Sequence, residues 1–213
     1  IGVKGYEADD VIGTIATKIS TLNSQLSNLP RRQAGLKSVI LTGDMDTYQL
    51  VNDSTVVLSI TKGINNAEVI DTFYVREMYG FGPEQVVDYK ALRGDPSDNI
   101  PGVPGIGEVT AKKLIVEFGT IENLYQQLKI KNLKLKIAEK LQKLLLDYEE
   151  QAKLSKVLST IKLDVPIIFQ LGCCLVHDYD KAKALKLFNK LEFKSLISRL
   201  PDQKSRHTQN SLF

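Results

Sequence analysis

Short apolar runs alternate along this chain with stretches whose apolar residues recur every three or four positions. That alternation predicts an α/β fold. The run VIGTIATKI keeps helical spacing, so a helix is expected to start near Ala8. Residues 20–37 are polar, with Pro30 and Gly35, and read as a helix end followed by a surface loop. SVILT (38–42) and TVVLS (55–59) are short apolar runs, the first read as a buried parallel strand. Residues 60–70 read as a loop or hairpin turning at Gly63 and Asn65-Asn66. Asp71 or Thr72 caps a helix through Tyr79, which Gly80 and Gly82 end. Pro83 opens another, reaching about Arg93, with Val86, Val87, Tyr89, Ala91 and Leu92 as its core positions. EVTAKKLIVEF (108–118) is helical, Gly119 stops it, and Thr120 caps a short helix over IENLYQQL. Residues 133–157 read as two lysine-rich helices, and a short strand is expected just before Pro166. Residues 179–200 read as a terminal amphipathic helix, with Leu185, Leu187, Phe188, Leu191, Leu196 and Ile197 inward.

Residues 93–107, RGDPSDNIPGVPGIG, carry the densest chemistry. Asp95 and Asp98 are three apart, so one turn places both carboxylates on one side. Pro101, Gly102, Pro104, Gly105 and Gly107 then fix a tight turn that runs into a helix start. Such a turn aims backbone N–H groups at an anion. Carboxylates for a cation beside amides for a phosphate point to a metal-dependent enzyme acting on a phosphodiester. An ordinary loop with two solvated aspartates has the same composition. Two further acidic groups fit the same reading. Glu7, Asp9 and Asp10 crowd one helix start, more negative charge than a cap requires. Glu7 and Asp10 can share a face, while Asp9 points elsewhere. Asp44 and Asp46 directly follow the first strand, where α/β sheets collect ligands. An acidic first turn and a Gly-Asp turn are the plain alternatives for these two groups.

Composition sharpens this picture. The 213 residues are 43% hydrophobic and 25% charged, a globular balance, and no apolar run is long enough for a membrane span. Residues 1–100 hold 9 Lys+Arg against 13 Asp+Glu, a net of −4; residues 101–213 hold 19 against 12, a net of +7. An acidic front half beside a basic back half suits a metal site joined to a polyanion-binding surface. The adjacent Cys173 and Cys174 are the sole cysteines, which excludes a disulfide framework and a zinc set and fits a reducing cytoplasm. His177 and His207 are isolated, and no serine or cysteine nucleophile constellation stands out. The chain opens at Ile1 rather than Met, so the natural start is expected upstream.

GYEADDVIGTIA, LTGDMDTYQLV and YKALRGDPSDNIPGVPGIGEVTAKKL resemble, in order, the 5′ nuclease domain of bacterial DNA polymerase I and its stand-alone relatives in the flap endonuclease superfamily. The resemblance runs from Gly5 to about Leu200. It implies an α/β fold: a mixed, mainly parallel sheet flanked by helices, PIN-like and lacking its N-terminal part over residues 1–94. A helical region at 95–200 with a helix–three-turn–helix that holds DNA follows, then a disordered tail at 201–213. It implies that Glu7, Asp9, Asp10, Asp44, Asp46, Asp95 and Asp98 are catalytic metal ligands for two or more Mg²⁺ or Mn²⁺ ions. Gly102, Val103, Gly105, Ile106, Gly107, Thr110, Lys112 and Lys113 match the phosphate-gripping hairpin, where relatives can hold K⁺. The implied function is a structure-specific 5′→3′ exonuclease and flap endonuclease of replication and repair, using two-metal catalysis on duplex DNA with 5′ ends or flaps. The implied enzyme is a cytoplasmic monomer with no membrane contact. The family's leading aspartate-bearing strand and basic arch are not in this sequence. This polypeptide alone is therefore expected to be weak or inactive, and a non-catalytic module binding branched DNA is the alternative. The last residues, QNSLF, resemble the peptide by which bacterial replication proteins dock on the sliding clamp, through Gln209, Leu212 and Phe213. That match implies a natural C-terminus and a stand-alone nuclease.

Overall fold

The first helix, α1 (Ala8–Leu26), begins where its apolar spacing begins. Asp10, in its first turn, accepts a hydrogen bond from the Glu7 N–H at 3.1 Å and so satisfies one of the donors that every helix start exposes. The structure, a computed structural model, describes residues 1–26, 36–130, 137–174 and 180–200. It separates into two compact units, Ile1–Phe169 and Gln170–Phe213.

In the first unit, β1 (Ser38–Thr42) pairs in parallel with β2 (Thr55–Ser59), Ser38 opposite Thr55 and Thr42 opposite Ser59. β3 (Glu68–Ile70) pairs antiparallel with β2, giving a mixed sheet in the order β1-β2-β3 among the described residues. β2 is the centre of the sheet and Val57 is wholly buried. β1 departs from the expected buried strand. Ile40 points into the core, but Val39 and Leu41 are exposed, the latter by 58%. Successive residues face opposite sides of a strand, and only one face of β1 is packed.

The next elements follow their local signals. In α2 (Thr72–Tyr79), Asp71 accepts from the Tyr74 N–H at 2.8 Å, and Gly80 ends the helix in the left-handed conformation. Pro83 opens a short 3-10 turn that leads into α3 (Val86–Arg93). Tyr79, Phe81 and Tyr89 form an aromatic cluster with ring centroids 5.4 to 5.6 Å apart. After the 93–107 loop come α4 (Glu108–Phe118), α5 (Ile121–Lys129), α6 (Glu139–Asp147) and α7 (Glu149–Ser159). The two lysine-rich helices expected over 133–157 are α6 and α7; residues 133–136 lie outside the described residues. Buried Asp88 stitches three helices together. It accepts from the Ile121 N–H at 2.9 Å and from Lys156 Nζ at 2.7 Å, and Lys156 also pairs with Glu122. Losing one member of such a pair typically costs about 3–5 kcal/mol, because the other is left buried and charged.

Two sequence expectations are corrected here. No strand precedes Pro166. Residues 160–169 carry no regular element, and Lys162, Val165 and Ile167 are bonded to α1 rather than to the sheet. Thr14 Oγ1 accepts from the Val165 N–H at 3.1 Å, Asp10 accepts from the Lys162 N–H at 2.8 Å, and Lys18 Nζ donates to the Ile167 carbonyl at 3.2 Å. Side chains of α1 thus satisfy backbone groups that a ladder would otherwise claim. The terminal helix, in the second unit, is broken into α8 (Lys181–Lys190) and α9 (Lys194–Ile197). Glu192 takes a positive φ of 57° between them, and Phe188 meets Phe193 edge-on at 6.0 Å. Leu187, Leu191 and Leu196 are exposed and Leu185, Phe188 and Ile197 half-buried, so the expected inward face is only partly covered. Tyr179 and the tail 201–213 lie outside the described residues.

Candidate metal centre and nucleic-acid interface

The site starts at the carboxyl end of β1. Asp44 Oδ1 accepts from the Asp46 N–H at 2.9 Å, and the Asp44 carbonyl accepts from Thr47 Oγ1 at 2.7 Å. This turn fixes both aspartates just beyond the strand, where α/β sheets gather ligands. The second contribution is the loop after α3. Asp95 and Ile100 exchange two backbone hydrogen bonds of 2.8 and 2.9 Å, closing the turn over 96–99. Asp95 Oδ1 accepts from both the N–H and the hydroxyl of Ser97, at 3.0 and 2.5 Å.

These two turns bring Asp46, Asp95 and Asp98 together, each offering a carboxylate oxygen within 4.8 Å of the others. Asp44, Lys90, Arg93, Ser97 and the pair Asp95 and Asp98 line one open cleft of about 530 Å³. Asp9 reaches the Asp44 carboxyl from α1. Burial raises the Asp9 pKa above the usual carboxylate range, and the neighbouring Asp44, Glu7 and Asp10 charges raise it further. Glu7 is exposed. Asp10 is engaged elsewhere, with one oxygen on the Glu7 N–H and the other on the Lys162 N–H.

Lys90 is the functional neighbour that sequence reasoning missed. It is 5% exposed, and its ammonium pairs with Asp46 Oδ1 and with Asp95 Oδ2, the latter at 2.7 Å. Burial alone would raise the Asp95 pKa, but hydrogen bonds from Lys90 and Ser97 outweigh it and hold the value down at about 2. The signal was a lysine on the apolar face of α3, between Tyr89 and Ala91, five residues before Asp95.

The glycine turn packs beside this cleft. Gly102 is clamped by α7, its N–H donating to Ser155 Oγ at 3.0 Å and its carbonyl accepting from Gln151 Nε2 at 2.7 Å. The side chains of Val103 and Ile106 are core, so only their backbone is open to a ligand. Val103 N–H donates to the Leu92 carbonyl and Ile106 N–H to that of Val103. Among the described residues no acceptor meets the N–H of Gly105 or Gly107, and Gly107 caps α4. Thr110 is half-buried in the first turn of that helix. The two lysines differ. Lys112 folds back on the protein, bonded to Glu108 at 2.6 Å and to the Met78 carbonyl at 3.2 Å, with its ammonium 5.0 Å from the Tyr79 ring centre. Lys113 is exposed.

A carboxylate cleft at the end of a sheet, beside a hairpin with open amides, is the layout of a protein that meets a polyanion through a cation. Comparison with known proteins makes the class specific. Residues 1–80 match the family model described as the 5′-3′ exonuclease N-terminal resolvase-like domain, and residues 81–182 match the C-terminal SAM fold of the same family. The chain belongs to the 5′-3′ exonuclease family. It is 39% identical over 204 residues to DNA polymerase I of Bacillus caldotenax, covering 95% of this chain and 21% of that protein. It therefore spans about a fifth of the length of the curated relatives it matches. A structure of the phage T5 5′-exonuclease with divalent zinc ions superposes with a TM-score of 0.57 at 26% identity, over 75% of this chain and 51% of that one. A complex of the T5 flap endonuclease with DNA and metal ions gives 0.58 at 25% identity, over 76% and 52%.

Proposed function

We propose that this chain is the nuclease module of a structure-specific 5′→3′ exonuclease and flap endonuclease acting in replication and repair. The convergence of Asp46, Asp95 and Asp98 carries this reading. Their donor set is oxygen alone, which fits Mg²⁺ or Mn²⁺. Asp46, Asp95 and Asp98 would hold one ion, and Asp9 and Asp44 a second, with Glu7 and Asp10 at the edge of that group. Bound divalent ions supply charge neutralisation and an activated water for phosphodiester hydrolysis. The chain's own residues do the rest. The carboxylates would hold the ions, and the Gly105 and Gly107 amides with Lys113 would hold the duplex backbone without reading sequence. The carbonyls of the same turn are where K⁺ would sit. A reducing compartment such as the cytoplasm fits two free, exposed cysteines.

The test is an end-labelled 5′-flap duplex offered to the full-length protein. Cleavage near the branch in Mg²⁺ or Mn²⁺ is expected, with EDTA abolishing it and Ca²⁺ supporting binding without cutting. Cleavage that persists in EDTA would remove the metal centre from the account. Binding with no cleavage in any divalent ion would leave a non-catalytic DNA-binding module. Gln209, Leu212 and Phe213 lie outside the described residues. For them we propose docking on a bacterial sliding clamp, supported by the terminal QNSLF. Calorimetric titration with the clamp should lose its signal when Leu212 and Phe213 are deleted. Equal binding by both chains, or by neither, disposes of it.

A further inference from the structure

Lys90 is buried, and its ammonium meets two carboxylates of the acidic trio at once. Its place on α3 is fixed by packing, since Tyr89, Ala91 and Leu92 beside it are all core. The trio depends on it. Ser97 serves Asp95 Oδ1, but among the described residues no donor serves the buried Asp46 Oδ1 apart from the Lys90 ammonium. Without that charge, three carboxylates whose oxygens lie within 4.8 Å would repel one another in a partly desolvated cleft. The Asp88–Lys156 pair makes a useful contrast. It too is largely buried, but Asp88 is also bonded by the Ile121 N–H and lines no acidic cleft.

We propose that Lys90 is a positioning residue that stands in for a cation. It holds Asp46 and Asp95 in their converged arrangement before any divalent ion arrives. Its fixed positive charge then weakens the site's grip on that ion, keeping the metal exchangeable. This rests on the metal-centre reading given above.

The test compares the wild-type chain with Lys90→Met and Lys90→Arg, by thermal melting in EDTA and in Mn²⁺ and by Mn²⁺ titration followed by electron paramagnetic resonance. In EDTA, Lys90→Met should melt well below wild type; saturating Mn²⁺ should restore most of the difference. Its Mn²⁺ dissociation constant should be roughly tenfold tighter, since one positive charge has left the site. Lys90→Arg should stay near wild type in both measurements. A Lys90→Met chain that melts low by the same amount with and without Mn²⁺, and binds the ion no more tightly, overturns the proposal. Lys90 is then packing alone, and the metal centre stands. A wild-type chain that binds no Mn²⁺ overturns both. If Lys90→Met does not fold in either condition, the double variant Lys90→Met with Asp46→Asn decides. Removing both charges should restore folding in EDTA, and failure to do so refutes the charge-based role.

Discussion

Asp98→Ala should abolish most metal-dependent cleavage while leaving the fold intact. Asp98 is the exposed member of the trio and takes no part in the Lys90 pairing, which uses Asp46 and Asp95. Its removal therefore strands no buried charge, and the stability change should stay within about 0.5 kcal/mol, the usual range for a surface substitution. On the proposed metal-centre reading Asp98 is a direct ligand, whose loss should cost more than the roughly 10–100-fold of an outer-shell partner, so a drop in kcat beyond about a hundredfold is expected. Duplex binding in Ca²⁺, read by fluorescence anisotropy, should persist, because Gly105, Gly107 and Lys113 do not line the carboxylate cleft. Unchanged cleavage with Asp98 gone would count decisively against the site.

Gly102→Ala should do the opposite, unfolding the interface on which the site stands. Gly102 has φ of 58°, and an added Cβ would fall 2.6 Å from Arg93 C and from Gly94 Cα, closer still to Gly94 N. These are backbone atoms in a crossing held from both sides by the Val103 N–H to Leu92 bond and the clamp from α7. Neither strand of the crossing can yield, so a loss of about 3–5 kcal/mol is expected in urea unfolding. Gly105→Ala is the internal control. It shares a positive φ of 84°, but its nearest neighbour would be Leu144 Cδ2 at 3.8 Å. Only the left-handed strain of about 1–2 kcal/mol should appear there. Equal effects at the two positions would show that conformational strain, rather than the close crossing, governs the turn.

Local signals were legible and distant ones were not. Asp71 and Gly80 bound α2 because capping depends on the residue itself and its next few neighbours. The aspartates of the two turns could be placed from sequence because strand ends and glycine turns are local features too. β1 misled because burial of a strand depends on what covers each face, and nothing within SVILT records that. The segment around Pro166 misled because its partners on α1 lie some 150 residues earlier, as in the Lys162 to Asp10 bond. The resemblance marks Lys112 for a phosphate, and its bond to the Met78 carbonyl, 34 residues away, is likewise a distant contact that the local sequence does not record. Lys90 stayed hidden because a helical lysine ordinarily solvates its helix; its burial follows from the meeting of two aspartate turns, only one of them near in sequence.

The most direct test of the metal centre is anomalous diffraction from a crystal of the protein soaked in Mn²⁺. The account predicts a peak within coordination distance of the Asp95 and Asp98 carboxylates, with Asp46 beside it. Strong Mn²⁺ peaks elsewhere on the molecule, and none at these carboxylates, would contradict it.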